Sequence, residues 1–299
     1  MDPVSGEVLR RAWQIIRANR ALWVLGGLPL VPFLLYLPLV AYLFLSKDFM
    51  NDIPRLVVNP GFLMSLLIVV LIMGVLSFVL QAFSRAAITF GIIRLEQSRD
   101  PLTVREMSRG GRKFFQPMLR AMLLTSLCTL LFLAASSLAL SLIGFVTLGL
   151  GSVLGQFLFW PATLLVHAVI EQSHSAVVAD GIQPMDAIRR AGELVQENLG
   201  IFAPVTLILY IATALLASLA TLPVTAPLLI LVLGTFAGDV VDSSFLQIAL
   251  FCFVAFIPLY LITQAILTSY IRSVHVVTYL RLTRSPLLQS LPETREASS

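Results

Sequence analysis

Five stretches of the chain, 21–46, 56–84, 121–170, 198–238 and 243–271, contain no Asp, Glu, Lys or Arg. A bilayer imposes this pattern. Its hydrocarbon slab is about 30 Å thick and a helix rises about 1.5 Å per residue, so one span takes about 20 apolar residues. A helix also satisfies its own backbone groups where no water can do so. Of the 299 residues, 58% are hydrophobic and 12% charged, against roughly a quarter charged in soluble domains. The chain reads as an all-α polytopic membrane protein, one integral membrane domain over 1–299. The first apolar run is too long for the core of an export signal and shows no small-residue cleavage site, so it is read as a retained span.

Six spans are expected, at 21–46, 61–84, 118–143, 150–172, 200–222 and 245–271. The 50-residue charge-free gap holds two of them, turning at Gly144, Gly149 and Gly151. Both termini then share one side with 18 of the 20 basic residues, and only Lys47 and Arg55 lie opposite. The positive-inside bias makes the rich side cytoplasmic. The outer connections are 47–60, a turn near 144–151, and 223–244 with Asp239 and Asp242. Within the last, Pro223 to Gly238 is either a re-entrant or interfacial helix or a seventh span. Its 16 residues and its Pro223, Pro227 and Gly234 favour the former. A seventh span would move Arg272, Arg281 and Arg284 outside.

The chain also repeats itself. Residues 8–19 read VLRRAWQIIRAN and residues 187–198 read AIRRAGELVQEN, each just before a span. On a helix Leu9, Ala12, Trp13 and Ile16 form one stripe and Arg10, Arg11, Gln14 and Arg17 the other. Ile188, Ala191, Leu194 and Val195 likewise oppose Arg189, Arg190, Glu193 and Glu197. A weaker copy at 102–115, LTVREMSRGGRKFF, sets Val104, Met107 and Phe114 against Arg105, Arg109, Arg112 and Lys113. Gly110 and Gly111 weaken that helix by about 1 kcal/mol each. Such helices lie in the interface, apolar stripe in the acyl boundary and arginines towards anionic headgroups.

Pro101 and Pro184 precede the second and third copies, and a proline is tolerated at a helix start. The chain therefore divides into repeats 5–99, 101–182 and 184–284, each an interfacial helix and a transmembrane hairpin, followed by a polar tail at 285–299. A second correspondence supports the division. RAAITFGIIRL at 85–95 and RSVHVVTYLRL at 272–282 are both Arg, eight residues, Arg-Leu. Each returning helix is thus expected to run about 14 Å past the membrane. The middle repeat lacks the pair and offers Glu171.

The plan of a basic amphipathic helix ending in asparagine, followed by a hairpin and repeated, rests on AWQIIRANRALWVLG (12–26) and MDAIRRAGELVQENLGIF (185–202). It resembles the membrane domain attached to some glycerophosphodiester phosphodiesterases, and the related stand-alone bacterial inner-membrane proteins of the YciC kind. The resemblance loosely covers 5–284 and implies a bacterial inner-membrane location. It implies no phosphodiesterase activity, because no soluble segment exceeds about 20 residues and the catalytic barrel has no counterpart.

The chemistry on offer is sparse. Cys128 and Cys252 lie mid-span and read as small apolar side chains. His167, Glu171 and His174 stand at i, i+4 and i+7, and Glu-x-x-His is a spacing that carboxylate metal sites in bundles use. No other span supplies the further carboxylates, so the group reads more simply as a solvated helix end. Gly26, Gly27, Pro29, Pro32 and Pro38 break span 1 as a transporter site would, but no span has a carboxylate or lysine near mid-depth. Phosphate-cradling glycine loops, Gly-x-Ser-x-Gly elbows and Cys-x-x-Cys are missing. The expectation is a non-enzymatic membrane-organising protein or accessory subunit without cofactor, a small-solute or lipid transporter and a metal-binding protein being the alternatives. Its partners would be the bilayer, its anionic headgroups, and another membrane protein or a second copy, with no nucleic acid.

Overall fold

The computed structural model describes residues 3–32, 34, 59–98, 100–147, 150–236 and 243–289. Expectations resting on the outer half of span 1, on Lys47, Arg55, Gly149, Asp239, Asp242, and on 290–299 of the tail lie outside the described residues. Among the described residues there are nine α-helices and no strand. These are α1 (Pro3–Ala18), α2 (Ala21–Gly27, continued by a 3₁₀ turn Leu28–Leu30), α3 (Pro60–Ser98), α4 (Val104–Arg112), α5 (Phe115–Val146), α6 (Leu150–Ala179), α7 (Pro184–Glu197), α8 (Leu199–Phe236) and α9 (Ser243–Gln289).

Local chemistry sets the joints. Thr103 caps α4: its hydroxyl accepts from the Glu106 N–H at 3.3 Å, and its own N–H donates to Glu106 Oε2 at 2.8 Å. Gly181, at φ 66°, turns the chain between α6 and α7, where a side chain would be strained. The asparagine ending both amphipathic copies stands at a break. Asn19 separates α1 from α2, where its carbonyl accepts from Leu22 N–H at 3.1 Å. Asn198 separates α7 from α8 and accepts from Phe202 N–H at 3.0 Å.

One expectation is corrected by helix continuity. The stretch from Pro223 is not a separate re-entrant or interfacial helix, because α8 runs unbroken from Leu199 through Pro223, Pro227 and Gly234 to Phe236. Each proline removes one backbone hydrogen bond. Opening the chain into a turn in an apolar medium would leave several groups unpaired, which is worse.

The apolar stripes of the short helices also meet protein. Val8, Ala12, Ile15 and Ile16 of α1 are buried, as are Met107 of α4 and Ala187, Ala191 and Val195 of α7. The expected dip into the acyl boundary is therefore replaced by packing on the long helices. Trp13 stays half exposed, edge-on to Tyr270 of α9 with ring centroids 6.0 Å apart. Gly110 and Gly111, costly for helix propensity, let α4 lie close: a Cβ on Gly111 would stand 2.4 Å from the Ala87 Cα of α3.

The packing order is cyclic. α3, α6 and α9 touch one another at the centre. Around them α2 packs on α3 and α9, α5 on α6 and α3, and α8 on α9 and α6. The short helices follow the same order, α4 against α3 and α2, α7 against α6 and α5, and α1 against α9 and α8.

Three helical stretches among the described residues are long and apolar enough to cross a membrane: Pro60–Gln97, Phe115–Val146 and Leu199–Pro223. The most apolar windows of the first two contain no buried residue, and Leu71, Leu130, Leu138 and Leu219 are all more than 60% exposed. Water would not tolerate such helices, whereas lipid tails solvate them. The core instead gathers at the end bearing α1, α4 and α7.

Candidate functional site

Where α3, α6 and α9 meet, the core turns polar. Arg85, Glu171 and Arg272 come together, one from each helix, with Glu171 and Arg272 fully enclosed at 3% and 7% side-chain exposure. Arg272 Nη1 donates to Glu171 Oε2, and Arg85 Nη1 lies 3.7 Å from Glu171 Oε1. The nearer partner of Arg85 is His174, whose Nδ1 is 2.9 Å from Nη1. A guanidinium can only donate, so Nδ1 accepts and the ring proton sits on Nε2. That nitrogen faces Thr125 Oγ1 at 3.3 Å, while the Thr125 hydroxyl donates to the Ala121 carbonyl at 2.9 Å. On the other side Gln172 Nε2 donates to the His275 carbonyl at 3.3 Å. Arg85 Nε, Gln172 Oε1 and Ser273 Oγ are buried without a hydrogen-bond partner.

The trio His167, Glu171 and His174 is therefore no solvated helix end, since Glu171 and His174 are buried. Nor does it converge on a point. Glu171 is turned to two guanidiniums, His174 to Arg85, and exposed His167 lies edge-on to His275 with centroids 6.2 Å apart. Among the described residues no group of three or more His, Cys, Asp or Glu is placed to hold a metal.

In α2 and the turn after it, Gly26 and Pro29 serve packing. A Cβ on Gly26 would stand 2.3 Å from Ser269 Oγ, so α2 crosses α9 at backbone distance. Pro29 has no N–H for the Leu25 carbonyl four residues back, and Ser84 Oγ donates to that carbonyl at 2.6 Å. Ser269 serves Leu22 and Ser77 serves Pro29 in the same way, at 2.7 and 2.9 Å. Small residues and serine hydroxyls are the usual adhesive between spans.

The basic residues expected at the interface fall into two groups. Arg11 pairs with Glu96 of α3 at 2.7 Å, Arg190 with Asp180 at 3.3 Å, and Arg189 with Glu193 on its own helix at 3.2 Å. Arg10, Arg17, Arg105, Arg109, Arg112 and Lys113 are exposed. On α9, Arg281 pairs with Glu7 of α1 at 2.9 Å, and buried Tyr279 donates to Asp180. Burial, and then that neighbouring carboxylate, push the Tyr279 phenol above its usual value. Bonds from the Thr103 backbone and hydroxyl hold the Glu106 carboxyl below its usual range.

Sequence reasoning picked out Glu171 and His174 but missed Arg85, Arg272 and Thr125 as their partners, and the Gln172–His275 contact beside them. The signal was the shared nine-residue spacing of Arg85/Arg94 and Arg272/Arg281, with Glu171/Asp180 at the same spacing in the middle repeat. No family model matches this chain, and neither the curated proteins nor the solved structures contain a match to it.

Proposed function

We propose that the chain is a non-enzymatic multi-pass membrane protein that organises the cytoplasmic leaflet by gathering anionic lipid headgroups. It has six spans in three tandem repeats, closed into a ring of pseudo-threefold order, with both termini cytoplasmic in a bacterial inner membrane. The repeats are supported by the sequence correspondences, by the cyclic packing of the short, outgoing and returning helices, and by the meeting of Arg85, Glu171 and Arg272 from matching positions. The proposed resemblance to phosphodiesterase membrane domains and YciC-like proteins rests on the sequence residues quoted for it alone.

One observation carries the functional reading. The apolar stripes of α1, α4 and α7 pack on protein, Trp13 alone standing half exposed, so the arginines opposite them are held outward on a fixed frame at one end of the apolar helices. Each basic residue near an anionic leaflet contributes about 1 kcal/mol within a Debye length. The test is the lipid composition around the protein in nanodiscs of mixed phosphatidylglycerol and phosphatidylcholine. Enrichment in phosphatidylglycerol, lost in the combined Arg105→Glu, Arg109→Glu and Arg112→Glu variant and at high salt, is expected. Equal composition with and without these charges would overturn the reading. A protein partner recovered on the same face in place of lipid would replace it with the accessory-subunit role.

A further inference from the structure

Two guanidiniums and one carboxylate leave the buried cluster with one positive charge in excess. On the helices enclosing it (α3 as far as Arg85, α5, α6 and α9) Glu171 is the only acidic residue. That carboxylate is committed: Oε2 accepts from Arg272, and Oε1 at 3.7 Å is too far from Arg85 for a hydrogen bond. Arg85 is left with one histidine nitrogen as a close neutral partner and a buried, unpartnered Nε. A largely buried cation that shares its only carboxylate with a second guanidinium is under-compensated, and a further anion beside it is favoured.

A place for that anion adjoins it. Arg85 lines a cleft of about 330 Å³ between α3, α5 and α6. At its lower end the Gln81 amide and the Ser126 hydroxyl accompany Arg85, and Glu171, already taken by Arg272, lines it together with His167 and His174. Its upper walls are Phe78, Leu130 and Leu133, with the Thr129 hydroxyl beside them, while Met122 closes the lower end. Leu130 and Leu133 are about half exposed or more, so the cleft opens sideways towards lipid. From Arg85 up to Phe78 is seven residues, about 10 Å along the helix. A charged floor under apolar walls fits a molecule that is itself charged at one end.

We propose that this cleft binds the anionic headgroup of one membrane amphiphile, with Arg85 as its counter-charge. The headgroup chemistry is a phosphate or carboxylate, entering from the bilayer with its acyl chain along Leu130 and Leu133. The site rests on the bilayer placement proposed above and is independent of the arginine-bearing surface.

The full chain is purified in mild detergent and probed separately with dioleoyl phosphatidylglycerol, dioleoyl phosphatidylcholine and inorganic phosphate, following lipid retention by native mass spectrometry and Tm. One phosphatidylglycerol is retained per chain, at least tenfold more tightly than phosphatidylcholine, and it raises Tm. Arg85→Gln loses this retention while its Tm without added lipid does not fall, because the excess charge is gone. Leu133→Trp fills the apolar end, leaves the ion cluster untouched, and weakens retention at least tenfold even if Arg85→Gln does not fold. The surface variant Arg105→Glu, Arg109→Glu and Arg112→Glu keeps the single tight lipid. The proposal is overturned if Leu133→Trp retains phosphatidylglycerol as the wild type does, if inorganic phosphate alone gives the same rise in Tm, or if the surface variant abolishes the tight lipid.

Discussion

Glu171 of α6 accepts from Arg272 of α9 across 101 residues of sequence, and both side chains are shut off from solvent. Arg85 of α3 reaches the same carboxylate from the other side. The three helices at the centre of the molecule are thus joined by one carboxylate serving two cations. In so dry a place the attraction is strong, but so is the cost of leaving any of the three unmatched.

Removing the carboxylate should therefore be far worse than removing a pair. Glu171→Gln strands two buried guanidiniums, and breaking a buried pair from one side costs about 3–5 kcal/mol. Glu171→Met combined with Arg272→Met takes away one charge of each sign and should recover most of that loss. Thermal unfolding of both variants in one detergent tests this. A double variant no more stable than Glu171→Gln would show that the ion pair is not what holds α6 to α9.

Much of the fold was legible because lipid writes long, uniform signals. The charge-free stretches locate α3, α5, α6, α8 and α9, and the alternation of Arg10, Arg11 and Arg17 with Ala12 and Ile16 locates α1. Three things were not legible. A hydrophobic stripe does not say whether lipid or protein will cover it, and Val8, Ile15 and Ile16 are covered by protein. Prolines read as punctuation in water, yet α8 passes through Pro223 and Pro227. Spacing within one helix cannot name a partner on another, so His167, Glu171 and His174 read as a candidate ligand group while Arg85 and Arg272 read as the start of extensions beyond the membrane.

Two glycines on amphipathic helices should respond in opposite ways. A Cβ on Gly111 would press on the Ala87 backbone at 2.4 Å, so Gly111→Ala forces α4 away from α3 and should cost about 1–3 kcal/mol. Around Gly192 of α7 nothing lies within 4 Å of the added methyl. Gly192→Ala should therefore stabilise by about 0.4–1 kcal/mol through the unfolded chain's lost freedom. The sign difference in Tm is the check, and a Gly111→Ala protein as stable as the wild type or more so would refute the close α3–α4 approach.

Asn19 and Asn198 look alike in sequence but should differ in weight. Asn19 is buried, and with its amide turned so that the nitrogen faces the acceptor it pairs with both backbone groups of Leu102, donating to the carbonyl at 3.0 Å and accepting from the N–H at 3.1 Å. Asn19→Ala leaves those groups unsatisfied and should cost about 1–3 kcal/mol. Asn198 donates to the Leu194 carbonyl of its own helix at 3.0 Å and is partly exposed, so Asn198→Ala should cost less. Equal losses in denaturation midpoints would contradict the assignment of Asn19 as the tie between α1 and the α4 entry.

The α4 cap should weaken in acid. The folded Glu106 carboxyl lies below its unfolded value because it accepts from the Thr103 N–H and hydroxyl. Its contribution is therefore fully present above the unfolded carboxylate pKa of about 4.3 and is lost as pH falls through the folded value. Amide exchange in the first turn of α4, corrected for the intrinsic pH dependence, should accelerate on acidification below that range. In Thr103→Ala the exchange should be fast throughout and lose its pH response. Unchanged protection of Glu106 and Met107 amides in acid would remove the capping box as the reason α4 starts where it does.

The contact between Arg281 and Glu7 brings the far end of α9 against α1, so the two ends of the described chain share one face. Phe145, at the distal end of α5, is 86% exposed and lies 30 residues from Phe115, about 45 Å along the helix. With Cys128 and Cys252 replaced by serine, single cysteines at Gly6→Cys, Thr283→Cys and Phe145→Cys can be labelled with a membrane-impermeant maleimide. In intact cells with a permeable outer envelope Phe145→Cys should react and the other two should not, and inverted vesicles should reverse the pattern. Labelling of Gly6→Cys and Thr283→Cys from opposite sides would rule out an even number of spans. Labelling of all three from one side would mean that α5 does not cross the bilayer.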